Sequence, residues 1–450
     1  MRAPLARMSL VVALALLGGC ADGPGEPSPT PSPDPTSGTP TTGSPTTDSA
    51  RPSGPAASPE WMQVAMPGGA EPVVLAVDGD ALVVGGYRSG SSPSVAALRT
   101  PAGALGGASL VPLRVTSDPS SPYAPLARWH SLVSRDGVIT AIGGAAGGAH
   151  SNTRWTTWAG ALAAPAQVTK GASGGTVQER PQPFSAFGGY GAGELLDAVA
   201  TSSGRFLVGS WEGTTGLDAA IWHEEGRRWV RAPSAASALA STPTALVGAV
   251  AATSTGSGIL IVGTVTHLGD LSIGVRRAAA VWRSERGATS WRRVDLPDAG
   301  SSSEARSAEC APDGCVVAGA VEGRYALWWL PTTGPPTRLT TPEAAVAERD
   351  AVPAPIRSAA ERVWPRADLV VAVGQVVAAR VDGAWHTTAA PGRVRTAAAV
   401  GDTLYVIADP ANPDAPTGAP ADTTADTQGD GTDRGASGAP ALWRGTMTGP

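Results

Sequence analysis

Cys310 and Cys315 bracket Ala311-Pro312-Asp313-Gly314, and Asp-Gly is a tight-turn dipeptide, so this spacing folds two thiols together across a hairpin. No His stands near them to complete a metal site, and the expected chemistry is a disulfide. His150, Asn152, Glu212, Asp218, His267, Asp270, Arg276, Arg277 and Glu322 fall in or beside the longer intervals between apolar runs. There they can hydrogen-bond a ligand or match its charge, although loop residues are polar by default. Asp426, Asp430 and Asp433 partly imitate a Ca²⁺ loop, with oxygen ligands at alternate positions and Gly431 at a bend. Gln428 replaces an acid there and Ser437 stands where a bidentate Glu is needed, so the stronger expectation is a solvated acidic insertion and no cofactor. Gly171-Ala-Ser173-Gly-Gly175 has the spacing of a nucleophile elbow, but the polar, Pro-broken residues 176–183 cannot supply the helix that turn requires. No phosphate-binding loop, dinucleotide fingerprint, metalloprotease motif or zinc-spaced cluster is present, and no catalytic residue is assigned.

Groups this sparse must be positioned by the surrounding fold, and composition limits what that fold is. The chain has 450 residues, a formal charge of -5, and one Lys (Lys170) against 32 Arg. A slightly acidic balance leaves no electrostatic footprint for nucleic acid. Hydrophobic residues make up 42% of the chain, enough for a large core whose bulk comes from Val, Leu, Ile and 14 Trp.

The first sixty residues carry an address. Arg2 and Arg7 precede a largely apolar run of ten residues, 8–17, too short to span a bilayer. Leu17-Gly18-Gly19-Cys20 resembles the bacterial lipobox, which implies that residues 1–19 are a lipoprotein signal peptide and that Cys20 is acylated as the mature N-terminus. Residues 21–59 hold eleven Pro and fourteen Ser or Thr with no Val, Leu, Ile, Phe, Tyr, Trp or Met. Such a segment cannot offset the entropy of ordering, so residues 20–59 read as a lipidated, disordered stalk reaching about 35 to 120 Å. The expected location is the extracytoplasmic face of the bacterial membrane, with the lipid as the membrane partner.

Residues 60–450 repeat a four-strand unit. The clearest copy, 246–297, runs Val247-Gly-Ala-Val-Ala-Ala252, Ile259-Leu-Ile-Val-Gly263, Ala278-Ala-Ala-Val-Trp282 and Trp291-Arg-Arg-Val-Asp-Leu-Pro297. Others cover 196–233 and 307–339, with weaker copies at 72–115, 127–168 and 357–391. The last, 394–446, lacks a fourth strand, whereas Trp61-Met-Gln-Val-Ala-Met-Pro67 has the fourth-strand pattern with nothing before it. Together they predict an all-β, seven-bladed β-propeller in which the N-terminal strand closes the last blade, with a disordered insertion at 409–440. Two β-sandwiches are the alternative, but they leave the complementary ends as coincidence.

The third-to-fourth-strand turns, such as Trp282-Arg-Ser-Glu-Arg286-Gly287-Ala-Thr-Ser-Trp291 and Trp222-His-Glu-Glu-Gly226-Arg-Arg-Trp229, resemble degenerate Asp-boxes of sialidase-like propellers. Arg286 stands at the Asp position and Gly287 is displaced, so the resemblance covers the architecture and implies no catalysis. Turns between first and second strands would share one face with those between third and fourth; the longer connections would share the other. On these grounds the expected function is a lipid-anchored, non-enzymatic binding or scaffold module for a cell-wall polymer or a partner protein, acting through the long-loop face. The alternative is an extracytoplasmic hydrolase or lyase acting on glycans, with acids such as Glu212 and Asp270 converging on the channel mouth.

Overall fold

The computed structural model describes residues 59–88, 92–99, 109–147, 152–164, 173–269, 274–343, 353–356, 364, 366–410 and 438–446. Short β-branched and Ala-rich runs separated by Gly and Asp turns become strands, and successive strands pair antiparallel into six sheets. The first comprises Glu71–Asp78, Ala81–Tyr87, Pro93–Arg99 and Val111–Pro112. The second comprises Arg128–Arg135, Val138–Ala145, Arg154–Leu162 and Gly175–Glu179, with Arg114–Thr116 added in parallel at its outer edge. The third is Ala192–Thr201, Gly204–Glu212, Leu217–Glu225 and Arg228–Arg231; the fourth is Ala245–Ser254, Ile259–Leu268, Val275–Arg283 and Arg292–Asp295. Ser303–Ala311, Gly314–Val321, Arg324–Pro331 and Thr337–Leu339 form the fifth.

The sixth sheet corrects the expected count of seven blades to six. It has six strands in the order Met62–Val64, Ala441–Gly445, Thr403–Pro410, Ala384–Val400, Ala367–Val381 and Ala354–Ile356, and takes in both of the last two expected units. Ala384–Val400 runs unbroken, pairing Ala367–Val381 through its first part and Thr403–Pro410 through its second. Pro391-Gly392 is the punctuation that suggests a break in the sequence. On the Ala367–Val381 side, however, it falls in an interval where pairing jumps from Val376↔Ala389 to Gly374↔Val394, so the N–H that Pro lacks is not missed there.

Ring closure follows the expected route. Met62, Gln63 and Val64 lie opposite Arg444, Trp443 and Leu442 in antiparallel register, and the Trp61 indole N–H donates to the Ala389 carbonyl at 3.0 Å. The packing closes as well, because an apolar cluster fills every junction around the ring. Val83 and Val95 meet Trp129 and Ile139 between the first two sheets, and Ile142 meets Leu207 and Trp222 at the next junction. Ile221 then packs near Ile261 and Trp282, Val262 near Val317 and Trp328, and Leu327 near Leu369 and Val371. Finally Ile407 and Leu442 meet Leu82 and Val84, returning to the first sheet. Trp158, Trp222, Trp282 and Trp328, each on the third strand of its sheet, are fully buried, so these tryptophans are packing residues.

The first strands, together with the second half of Ala384–Val400, line a central channel of about 320 Å³, presenting Ala76, Ala198, Ala252 and Ala397 among others. Small side chains let the strands converge there. The first strands of the first five sheets are also each kinked by a bulge, for example between Ala249 and Ala251 and between Ala305 and Ser307. The second strand carries glycine opposite: a Cβ on Gly263 or Gly319 would stand 2.0 Å from the carbonyl oxygen of Gly248 or Glu304.

The disulfide forms as expected, joining Cys310 and Cys315 directly across the hairpin of the first two strands of the fifth sheet. Asp409 and Pro410, expected in the insertion, instead end a strand, and Asp409 pairs with Arg395 at 2.8 Å. Among the described residues no helix is long and apolar enough to cross a membrane.

Candidate functional site

The two ends of the ring differ. On the short-turn end, neighbouring sheets are stitched together: Asp78 accepts from the Ser134 hydroxyl at 2.8 Å and from the N–H groups of Asp136 and Gly137 at 3.0 and 2.7 Å. On the opposite end, connections between sheets and between second and third strands leave large apolar side chains in water. Tyr190 is 99% exposed, Val275 70% and Phe184 62%, with Leu126, Leu217 and Leu268 also exposed. An array of uncovered apolar groups on one end of a rigid scaffold is a feature of interaction surfaces.

A recess on that end, about 570 Å³, lies where the second and third sheets meet. Tyr123 comes from the connection ahead of the second sheet, Arg154 starts that sheet's third strand, and Arg180 follows its fourth. Phe184 belongs to the one-turn helix Phe184–Phe187. The Arg154 guanidinium lies 4.8 Å from the Phe184 ring centroid and 5.9 Å from that of Tyr123. The floor is pinned: the Thr157 hydroxyl donates to the Arg180 carbonyl at 2.9 Å, and the Arg180 N–H donates to the Thr157 carbonyl at 2.7 Å. The Gln182 amide donates to the carbonyls of Arg180 and Arg227 and accepts from the Trp229 N–H, tying the second sheet to the third. Buried Glu179 accepts the Asp118 N–H at 2.8 Å, while the Ser120 hydroxyl and N–H hold the Asp118 carboxyl below its ordinary value.

The channel holds two further acids. Asp197 accepts the Ser131 hydroxyl at 2.9 Å and the Ala252 N–H at 2.7 Å, so one carboxyl joins the second, third and fourth sheets. Burial pushes it up to about 6 against those hydrogen bonds, and burial pushes Glu309 up to about 7. Both residues line the channel and keep partial solvent exposure there.

Of the residues singled out in the sequence, Glu212 and Asp218 share a cleft of about 520 Å³ with Arg231. Asp218 is buried there and accepts the Ser234 hydroxyl at 2.7 Å and the Ser241 N–H at 2.8 Å, which makes it a loop clasp. His267 and Arg276 sit opposite each other in the fourth sheet, and Arg277 pairs with Glu304 at 2.9 Å. Glu322 caps a two-residue turn and accepts from Ser301. Asn152 is exposed ahead of the Arg154–Leu162 strand. His150, Asp270, Cys20, Asp426, Asp430 and Asp433 lie outside the described residues, as do the signal peptide and nearly all of the stalk. No cluster of three metal-ligating side chains occurs among the described residues. Sequence reading missed Tyr123, Arg154, Arg180 and Phe184, although the long connections carrying or flanking three of them were already visible as intervals at 143–153 and 170–194.

The radial sheets, the closed ring of cores and the zipped N-terminal strand define an all-β propeller. No protein-family model matches the chain, and no curated protein matches it. Among solved structures it is similar to YCF48 bound to D1 peptide, at 13% identity over 78% of this chain and 93% of that one, with a TM-score of 0.41. It is also similar to phage phi92 endosialidase, at 7% identity over 87% and 69%, TM-score 0.38. A third is a mutant of Trypanosoma rangeli sialidase displaying trans-sialidase activity, at 11% identity over 74% and 56%, TM-score 0.34. At these identities and scores the fold assignment rests on the strand pairing within this chain.

Proposed function

We propose that this protein is a non-enzymatic binding module, held at the extracytoplasmic face of the bacterial membrane by a lipid on Cys20. It captures an envelope polymer or a partner protein on the long-loop end of its propeller. The observation that carries this reading is the exposure of Phe184, Tyr190 and Val275 on one end, while on the other end the Asp78 carboxyl ties the first sheet to the second. Two of the acids found there, Asp218 and Glu322, are engaged in holding loops.

Two measurements test it. Fatty-acid labelling and membrane fractionation of the full chain should show lipidation that Cys20→Ser abolishes; equal labelling of the variant would refute the anchor. The Cys20→Ser protein should co-sediment with isolated envelopes, and a Phe184→Ala, Tyr190→Ala, Val275→Ser triple variant should be lost from the pellet. Equal sedimentation of the two proteins, or turnover of an envelope glycan by the unsubstituted chain, would overturn the reading.

A further inference from the structure

Within the recess at the second and third sheets, both arginines have an Nε that is buried and without a hydrogen-bond partner. Neither guanidinium forms an ion pair or hydrogen bond with any described residue. Many other arginines of the chain are neutralised: Arg205 by Glu224, Arg277 and Arg306 by Glu304, Arg380 by Asp368, and Arg395 by Asp409. Burying these two Nε–H groups without a partner is unfavourable in the free protein, and an anion entering the recess would relieve it. Glu179, the only carboxylate lining the recess among the described residues, is turned to the Asp118 N–H. We propose that this recess binds a carboxylate-bearing sugar unit of an acidic polysaccharide, with Arg154 and Arg180 engaging the carboxylate. The inference rests on the long-loop end being the binding end and names its ligand class.

Three features select sugar over acidic peptide. An extended peptide needs free backbone groups to pair with, and the Arg180 N–H and carbonyl are already bonded to Thr157 and Gln182. The walls carry flat apolar surfaces, from Tyr123, Trp155, Phe184 and the prolines 122, 181 and 183, suited to the C–H face of a pyranose. Ser120, Ser121 and Thr153 add hydroxyls at the rim for ring hydroxyls to meet. Arg is also the side chain whose planar fork matches a carboxylate in two parallel hydrogen bonds.

The test is calorimetric titration of the detergent-solubilised full chain with tetragalacturonate, with neutral galactotetraose and tetraglutamate as separate arms. Tetragalacturonate should bind, weaken as salt rises, and bind at least tenfold tighter than either control. Arg154→Gln and Arg180→Gln should each weaken it about tenfold or more, and Arg154→Lys by less than Arg154→Gln, with unchanged melting temperatures. Should Arg154→Gln fail to fold, Arg180→Gln with Tyr123→Ala serves in its place. Absence of binding, equal binding of galactotetraose or tetraglutamate, or indifference to both Gln variants would each overturn the assignment. The two levels separate cleanly. If the Phe184, Tyr190, Val275 triple variant still leaves the envelope pellet while tetragalacturonate does not bind, the ligand class fails and the binding end stands.

Discussion

Glu309 lines the channel, and no hydrogen-bond or ion-pair partner for its carboxyl occurs among the described residues. Burial raises its folded value from 4.5 to about 7. Between those two pH values the native state therefore holds a proton that the unfolded chain has released, and stability falls as pH rises through the window. At 1.36 kcal/mol per pH unit the full gap corresponds to about 3 kcal/mol, an upper bound because the residue is partly exposed and solvent screens part of the charge. The penalty is absent below pH 4.5 and complete above pH 7. Replacing the acid by its neutral isostere, Glu309→Gln, removes it. Urea unfolding at pH 4.2 should find the variant and the parent equally stable, and at pH 8.0 the variant should be more stable by up to about 3 kcal/mol. Equal stability at pH 8.0, or a variant less stable at both pH values, would show that the carboxyl is not held neutral by burial and would refute the reasoning. Asp197 adds the same sign between 3.8 and about 6, so the Glu309→Gln protein should retain a smaller decline in that lower window.

Further perturbations at three places probe the architecture. Gly263→Ala places a methyl carbon against the Gly248 carbonyl and should lower stability by about 1 to 3 kcal/mol, read as a drop in melting temperature; a neutral result would deny the bulge its tight opposite wall. Asp218→Ala leaves the Ser234 hydroxyl and the Ser241 N–H buried without their acceptor and should cost about 2 to 4 kcal/mol, whereas Glu212→Ala beside it should be nearly silent in the same urea titration. Reducing the Cys310–Cys315 bridge, or replacing both by Ser, should cost about 2 kcal/mol, because the closed loop is short; an effect above about 4 kcal/mol would mean that the bridge holds more than its own hairpin.

The strand types and the closure were legible in the sequence because both are local patterns. A run such as Ile259-Leu-Ile-Val-Gly263 has β-branched side chains suited to a pleated sheet, and the orphaned fourth-strand pattern at Trp61 answered the missing strand after Trp443. The Cys310-to-Cys315 hairpin was equally local, since Asp313-Gly314 sets the turn that aligns the two cysteines.

What only tertiary structure decided depends on distances between residues far apart in the chain. The number of sheets turned on Ala384–Val400 continuing through Pro391-Gly392, which the pairing on both flanks permits and no local propensity announces. The recess depends on Tyr123, Arg154, Arg180 and Phe184 meeting at a junction between sheets, and the acidity of Asp197 and Glu309 on strands converging around an axis. Sequence specifies which residue can form a strand or a turn; burial and charge pairing are properties of the assembled ring, because they arise from neighbours that the chain brings together only when it closes.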